Sequence, residues 1–150
     1  MRISAISPQE SSRLLERVSV GRLACSLENQ PYVVPVCFAY QEPDHIYVFS
    51  TLGRKIEWMR QNPKVCLQVD EIGSRSNWTS VVVSGRYLEL REPEYSNERQ
   101  QAMELLGDYS EWWKTPLAQR REKTSDLSVE VVFFRIDIES TSGLRAIPEN

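Results

Sequence analysis

The stretch from Ile46 to Val69 constrains the chain most, because it demands strand, helix and strand in quick succession: IYVFS, then TLGRKIEWMRQN, then PKVCLQV. Strand formers stop at Ser50 and Thr51, either of which can cap a helix, and Gly53, Arg54 and Lys55 occupy the first turn. Ile56 and Met59, with Trp58 beside them, give the helix an apolar stripe to lay on a sheet. Pro63 has no amide hydrogen with which to continue it. The first turn therefore offers unfilled backbone N–H groups, two hydroxyls and two cations, which together make a seat for a dianion, most simply a phosphate. The same residues also read as a solvated basic helix start, and spacing alone does not separate these readings.

Bulk properties narrow the setting of that seat. A chain of 150 residues, 41% of them hydrophobic, is expected to form one domain over 1–150 whose core needs neither disulfides nor metal. A net charge of -3 argues against a general nucleic-acid surface and against a polybasic membrane anchor, so basic residues must act locally. Cys25, Cys37 and Cys66 are odd in number and each lies in an apolar run, as reduced core cysteines of a cytoplasmic protein would. With His45 the single histidine, a three-histidine zinc site is excluded and no metal site is expected. The N-terminus lacks the apolar run of a signal peptide, and no segment has the length of a membrane span.

Along the chain, Ser7-Pro8-Gln9-Glu10 reads as a helix start, with Ser7 as cap, Pro8 at the first position and Glu10 as the capping-box carboxylate. Val20 to Leu27 reads as the first strand, and Pro31 to Tyr40 as its hairpin partner. Pro35 interrupts that partner and belongs at an edge, a bulge or a ligand-facing break, since it cannot donate to a ladder. In the last case Val36, Cys37 and Phe38 would leave backbone polar groups for a flat polar ring; otherwise this is an edge strand without a ligand. The run from Thr79 to Glu92 is expected to bend at Gly85. A helix is expected over Pro93 to Leu106, and a last strand over Leu127 to Ser140. Trp112 and Trp113 read equally as a ligand wall, a subunit contact or the cap of an open barrel end. No triad, paired-carboxylate motif or P-loop is present, so no catalytic side chain is identified.

Gly21-Arg22-Leu23-Ala24, Pro31 to Val36, Ile46 to Ser50 with Gly53-Arg54-Lys55, Asn62 to Val65, and Ser80 to Gly85 resemble, in that order, the pyridoxamine 5'-phosphate oxidase-like flavoproteins, nearest their nitroimidazole-resistance-type branch. The resemblance implies a mainly β fold, a six-stranded antiparallel split β-barrel with peripheral helices, assembled as a homodimer with FMN at the subunit interface. It implies that Arg54 and Lys55 grip the phosphate with help from Ser50 and Thr51. Pro35, Val36, Cys37 and Phe38 would run along the isoalloxazine ring, and Trp78 and Ser80 would approach from the same cleft.

The branch often carries a histidine just before the serine of this strand, and here that position is Phe49. The tail offers only Arg145 where the oxidase proper has several basic substrate-binding residues. The first departure argues against chemistry of that branch that depends on the imidazole, and the second against pyridoxamine phosphate oxidation. The expected function is an FMN-dependent oxidoreductase reducing a small acceptor with NAD(P)H as electron donor. The alternatives are a non-catalytic flavin-binding or sensing module, a deazaflavin-dependent reductase, and a dimeric interaction protein that has lost its ligand.

Overall fold

The computed structural model, which describes residues 1–107 and 130–150, opens on a strand that the sequence does not advertise. β1 (Arg2–Ala5) has all of its residues exposed, so no burial pattern marks it. It is followed by α1 (Pro8–Arg17), β2 (Val20–Leu27), β3 (Gln30–Gln41), β4 (His45–Thr51), α2 (Arg54–Gln61), β5 (Lys64–Ser74), β6 (Asn77–Glu89), α3 (Ser96–Leu105) and β7 (Val131–Ile147). Among the described residues these strands form one antiparallel seven-stranded sheet in the order β1-β7-β4-β3-β2-β5-β6, with β6 also paired to β7. The six-stranded split barrel expected from the sequence is therefore corrected to a seven-stranded sheet, while the mainly β character and the peripheral helices hold.

The difference arises at β7. Its first part pairs with β4, from Thr51↔Val131 to His45↔Asp137, and its end pairs with β1, from Ala5↔Leu144 to Arg2↔Ile147. The segment Ser140–Ile147, which reads as a polar tail, is thus strand because two neighbours hydrogen-bond to it, not because its own side chains alternate. Leu127, together with Trp112 and Trp113, lies outside the described residues.

Apolar positions of the strands and of α1 and α2 meet in one core. It contains Leu14, Leu23, Phe38, Ile56, Leu67 and Phe134, all essentially inaccessible. β4 is buried on both faces: Ile46 and Val48 enter that core, whereas Tyr47 joins Phe133, Leu90, Ala102 of α3 and Leu106 just after that helix in a second cluster. This double burial explains why IYVF reads as an unbroken apolar run. Tyr47 keeps its hydroxyl satisfied by donating to Glu98 at 3.0 Å; burial first and that carboxylate second push its pKa up to about 12.

Local signals are partly kept. Ser7 accepts from the Glu10 amide at 3.1 Å with Pro8 at the start of α1, as a capped helix requires. The Glu10 carboxylate, however, pairs with Arg145 of β7 at 2.5 Å, tying α1 to the sheet. α3 starts at Ser96 rather than Pro93, because residues 92–95 form a turn in which the Ser96 hydroxyl donates to the Pro93 carbonyl. Cys25, Cys37 and Cys66 are free thiols, the first two buried. No helix among the described residues is long and apolar enough to cross a membrane.

Candidate functional site

The site is built where β4 ends and α2 begins. Ser50 and Thr51 do not cap the helix, because both remain in the ladder opposite Val132 and Val131. Ser50 is buried, and its hydroxyl donates to the Thr51 carbonyl at 2.9 Å. Gly53 takes the cap position in an extended conformation, φ −178° and ψ −162°, and its carbonyl accepts from Glu57 N–H at 3.0 Å. No side chain among the described residues caps α2, so its first-turn N–H groups are not taken up by any of them. Ile56 and Met59 anchor the helix in the core, which fixes where that turn sits.

Two cations stand on the turn. Arg54 is exposed, with its guanidinium carbon 5.6 Å from the ring centroid of Tyr32. Lys55 is half-buried, and burial pulls its ammonium pKa below the ordinary lysine value; the thiol of Cys25, itself pushed up by burial, is the titratable group that opposes the shift. No carboxylate lies within ion-pairing distance of Lys55 among the described residues. The other half-buried cations, Arg99, Arg135 and Arg145, each face one, Glu92 at 3.6 Å, Glu98 at 2.5 Å and Glu10 at 2.5 Å. A half-buried ammonium beside helix amides, with no carboxylate near it among the described residues, has the charge and the donors to hold an anion.

The remaining expected residues divide into two groups. Pro35, Val36 and Cys37 pair with Arg22, Gly21 and Val20 of β2, while the β3–β4 ladder starts only at Phe38↔Val48. One edge of β3 is therefore unpaired along Pro35–Cys37, which agrees with a proline there. Val36, Cys37 and Phe38 turn their side chains into the protein, so what this stretch can offer a ligand is backbone. Trp78 and Ser80 are half-buried on β6, where Ser80 accepts from Gln68 Nε2 at 3.1 Å. β2 and β5 lie between β6 and β3, so on one chain they stand about 14 Å from Pro35 by strand spacing. They share its sheet face.

Sequence reasoning did not include Tyr32 or Cys25, which the β2–β3 register places opposite each other beside the two cations. Trp58, one helical turn from Arg54, packs on Tyr32, a contact that no local pattern in the sequence announces.

One cavity, of about 590 Å³, is lined by Cys25, Pro31, Val65, Cys66 and Glu139 among others, and so reaches this site through Cys25. Another, of about 410 Å³, lies at the start of α1 against Glu42. A further one, of about 400 Å³, is lined by Arg60, Glu89, Arg91, Arg99 and Phe133. Its charges satisfy one another: Glu89 accepts from Arg60 at 2.8 and 3.0 Å, from Arg91 at 2.6 Å and from the Tyr87 hydroxyl at 2.5 Å. Burial pushes the Glu89 carboxyl up, but these hydrogen bonds outweigh it and hold its pKa at about 2, below the ordinary 4.5. Such a group stabilises the fold above pH 4.5, and its contribution is lost as the pH falls from there toward 2. Glu89→Gln is therefore expected to lower the melting temperature at pH 7 and to shrink the difference between parent and variant on acidification through that window. A gap that stays constant down to pH 2.5 would contradict this account.

The chain matches the family model for pyridoxamine 5'-phosphate oxidase over residues 7–145. It is 36% identical to an uncharacterized protein of Rhizobium meliloti (strain 1021) over 148 residues, covering 97% of each chain. Among solved structures, a FAD-binding protein from Mesorhizobium loti is 42% identical, with a TM-score of 0.80 and 99% of both chains covered. A proposed 5-nitroimidazole antibiotic resistance protein from Bacteroides thetaiotaomicron shares the fold at 20% identity, with a TM-score of 0.68 over 96% of this chain and 87% of that one.

Proposed function

Because the chain belongs to the pyridoxamine 5'-phosphate oxidase family, we propose that it is a flavin-binding protein that holds FMN by its phosphate and serves as an oxidoreductase toward a small acceptor. The observation that carries this reading is the half-buried Lys55, with no carboxylate near it among the described residues, beside Arg54 and the first turn of α2. A phosphate monoester fits that donor set in charge and in hydrogen bonding. Bound flavin would supply reversible electron transfer between a donor such as NAD(P)H and the acceptor. The chain would orient the ring along the unpaired edge of Pro35–Cys37, with Phe38 closing the ladder behind it. Trp78 and Ser80, three strand spacings away on the same chain, would reach the ring only across an interface between two copies, which favours a homodimer. Phe49 cannot exchange a proton, so acid–base steps at that position are not part of this reading.

FAD is the second reading, favoured by the description of the 42%-identical Mesorhizobium loti protein as FAD-binding. Native purification followed by denaturation distinguishes the two by absorbance and mass of the released cofactor. FMN is expected, carried by a species of about twice the 17.4 kDa chain mass in light scattering, with anaerobic bleaching of the flavin by NADH or NADPH. Release of FAD would move the assignment to the second reading. A flavin that neither nicotinamide reduces would remove the proposed donor, and a colourless protein that takes up neither flavin would end the proposal.

A further inference from the structure

Arg54 is exposed, yet its guanidinium is not unconstrained. Its Cζ lies 5.6 Å from the centroid of the Tyr32 ring, and Tyr32 packs on Trp58 with centroids 5.8 Å apart and planes inclined at 58°. Trp58 stands four residues after Arg54 on α2, so the contacts run from the helix to β3 and back to the same helix face. A guanidinium over an aromatic ring is held electrostatically. Without the ring, an exposed arginine spreads over many rotamers and must surrender that freedom when it binds.

We propose that Tyr32, backed by Trp58, is a positioning residue that keeps the Arg54 guanidinium at the first turn of α2, and so sets the preference of this seat for a phosphate monoester over the same ligand without its phosphate. The inference rests on reading that turn as a phosphate seat. It assigns a role to a residue that need not touch the flavin ring. Removing Tyr32 should therefore act on phosphate recognition while sparing recognition of the ring.

The full-length apoprotein, its Tyr32→Leu variant and its Tyr32→Phe variant are titrated with FMN and with riboflavin by fluorescence quenching. Tyr32→Leu should weaken FMN about fivefold and change riboflavin by less than about twofold, and Tyr32→Phe, which keeps the ring, should restore the parent values. Equal losses for both ligands, an unchanged FMN affinity in Tyr32→Leu, or a Tyr32→Phe variant as weak as Tyr32→Leu would overturn the proposal. If Tyr32→Leu fails to fold, Trp58→Leu, which removes the backing ring, is read on the same two ligands by the same criteria. If the parent takes up no flavin, the functional reading fails separately, and inorganic phosphate followed by phosphorus NMR line broadening decides the role of Tyr32. Weaker phosphate binding in Tyr32→Leu but not in Tyr32→Phe would sustain it; no difference, or no phosphate binding by the parent, would overturn it.

Discussion

Replacing Arg54 and Lys55 together by alanine is expected to weaken FMN by tenfold to a hundredfold while leaving riboflavin within about threefold. Charge-assisted hydrogen bonds contribute about 1.5–3 kcal/mol each, and about 1.4 kcal/mol corresponds to tenfold in Kd. Arg54 is exposed and screened, so its share lies at the low end. Lys55 is half-buried and should carry more of the loss in the single variants. Because the two side chains are adjacent and share one ligand, their separate losses should not add. Stability gives an independent readout. Lys55 has lost part of its hydration without gaining a carboxylate among the described residues, so Lys55→Met should leave the apoprotein at least as stable as the parent. Equal weakening of FMN and riboflavin would make the α2 start structural, and an apoprotein destabilised by Lys55→Met would reveal a counter-charge for that ammonium.

The order of strand, two cations and apolar helical stripe was legible because it is local: Arg54 and Lys55 follow β4 and open α2, as the sequence predicts. That order alone does not separate an anion seat from a solvated helix start; the burial of Lys55 is what the structure adds. The cap was not legible, because Ser50 and Thr51 are good capping residues that the β4–β7 ladder retains, leaving Gly53 in the position. Tyr32 was not legible either: its place beside Arg54 depends on the β2–β3 register and on α2 packing against β2, both long-range outcomes. The same distinction holds for the fold. β2 has its expected limits, since a glycine-interrupted apolar run and a turn at Glu28 and Asn29, both with positive φ, mark it locally. β1 and the second half of β7 are strands through their partners, so polar stretches such as Ser140-Thr141-Ser142 carry no mark of them. Trp78 and Ser80 stand three strand spacings from Pro35 on one chain, a separation that no local pattern can express.

Gly85→Ala is expected to cost about 3 kcal/mol, the upper end for overpacking, and to lower the melting temperature by roughly 10 °C for a domain of this size. The register shows why. Ser84 pairs with Ser140 but Gly85 pairs with Ile138, so Glu139 is an extra residue in β7 and the ladder is bulged there. A Cβ built on Gly85 would overlap the Asp137 carbonyl oxygen and stand 3.0 Å from both the Asp137 carbonyl carbon and Ile136 Cγ2. The obstacle includes backbone hydrogen-bonded into the sheet, which cannot swing aside as a side-chain end can. Gly85 does not have positive φ, so the requirement is for space rather than for a left-handed conformation. Gly107→Ala is the matched control: no described residue lies within 4 Å of a Cβ there, and its effect should stay within about 0.5 kcal/mol. The bulge also sets which face the start of β6 presents, since a slip of one residue would exchange its two faces. Gly85→Ala should therefore weaken flavin binding as well as stability if Trp78 and Ser80 serve the cleft across a dimer. A variant melting within about 2 °C of the parent would mean that β7 yields at Glu139, and that the bulge, rather than the glycine, holds the register.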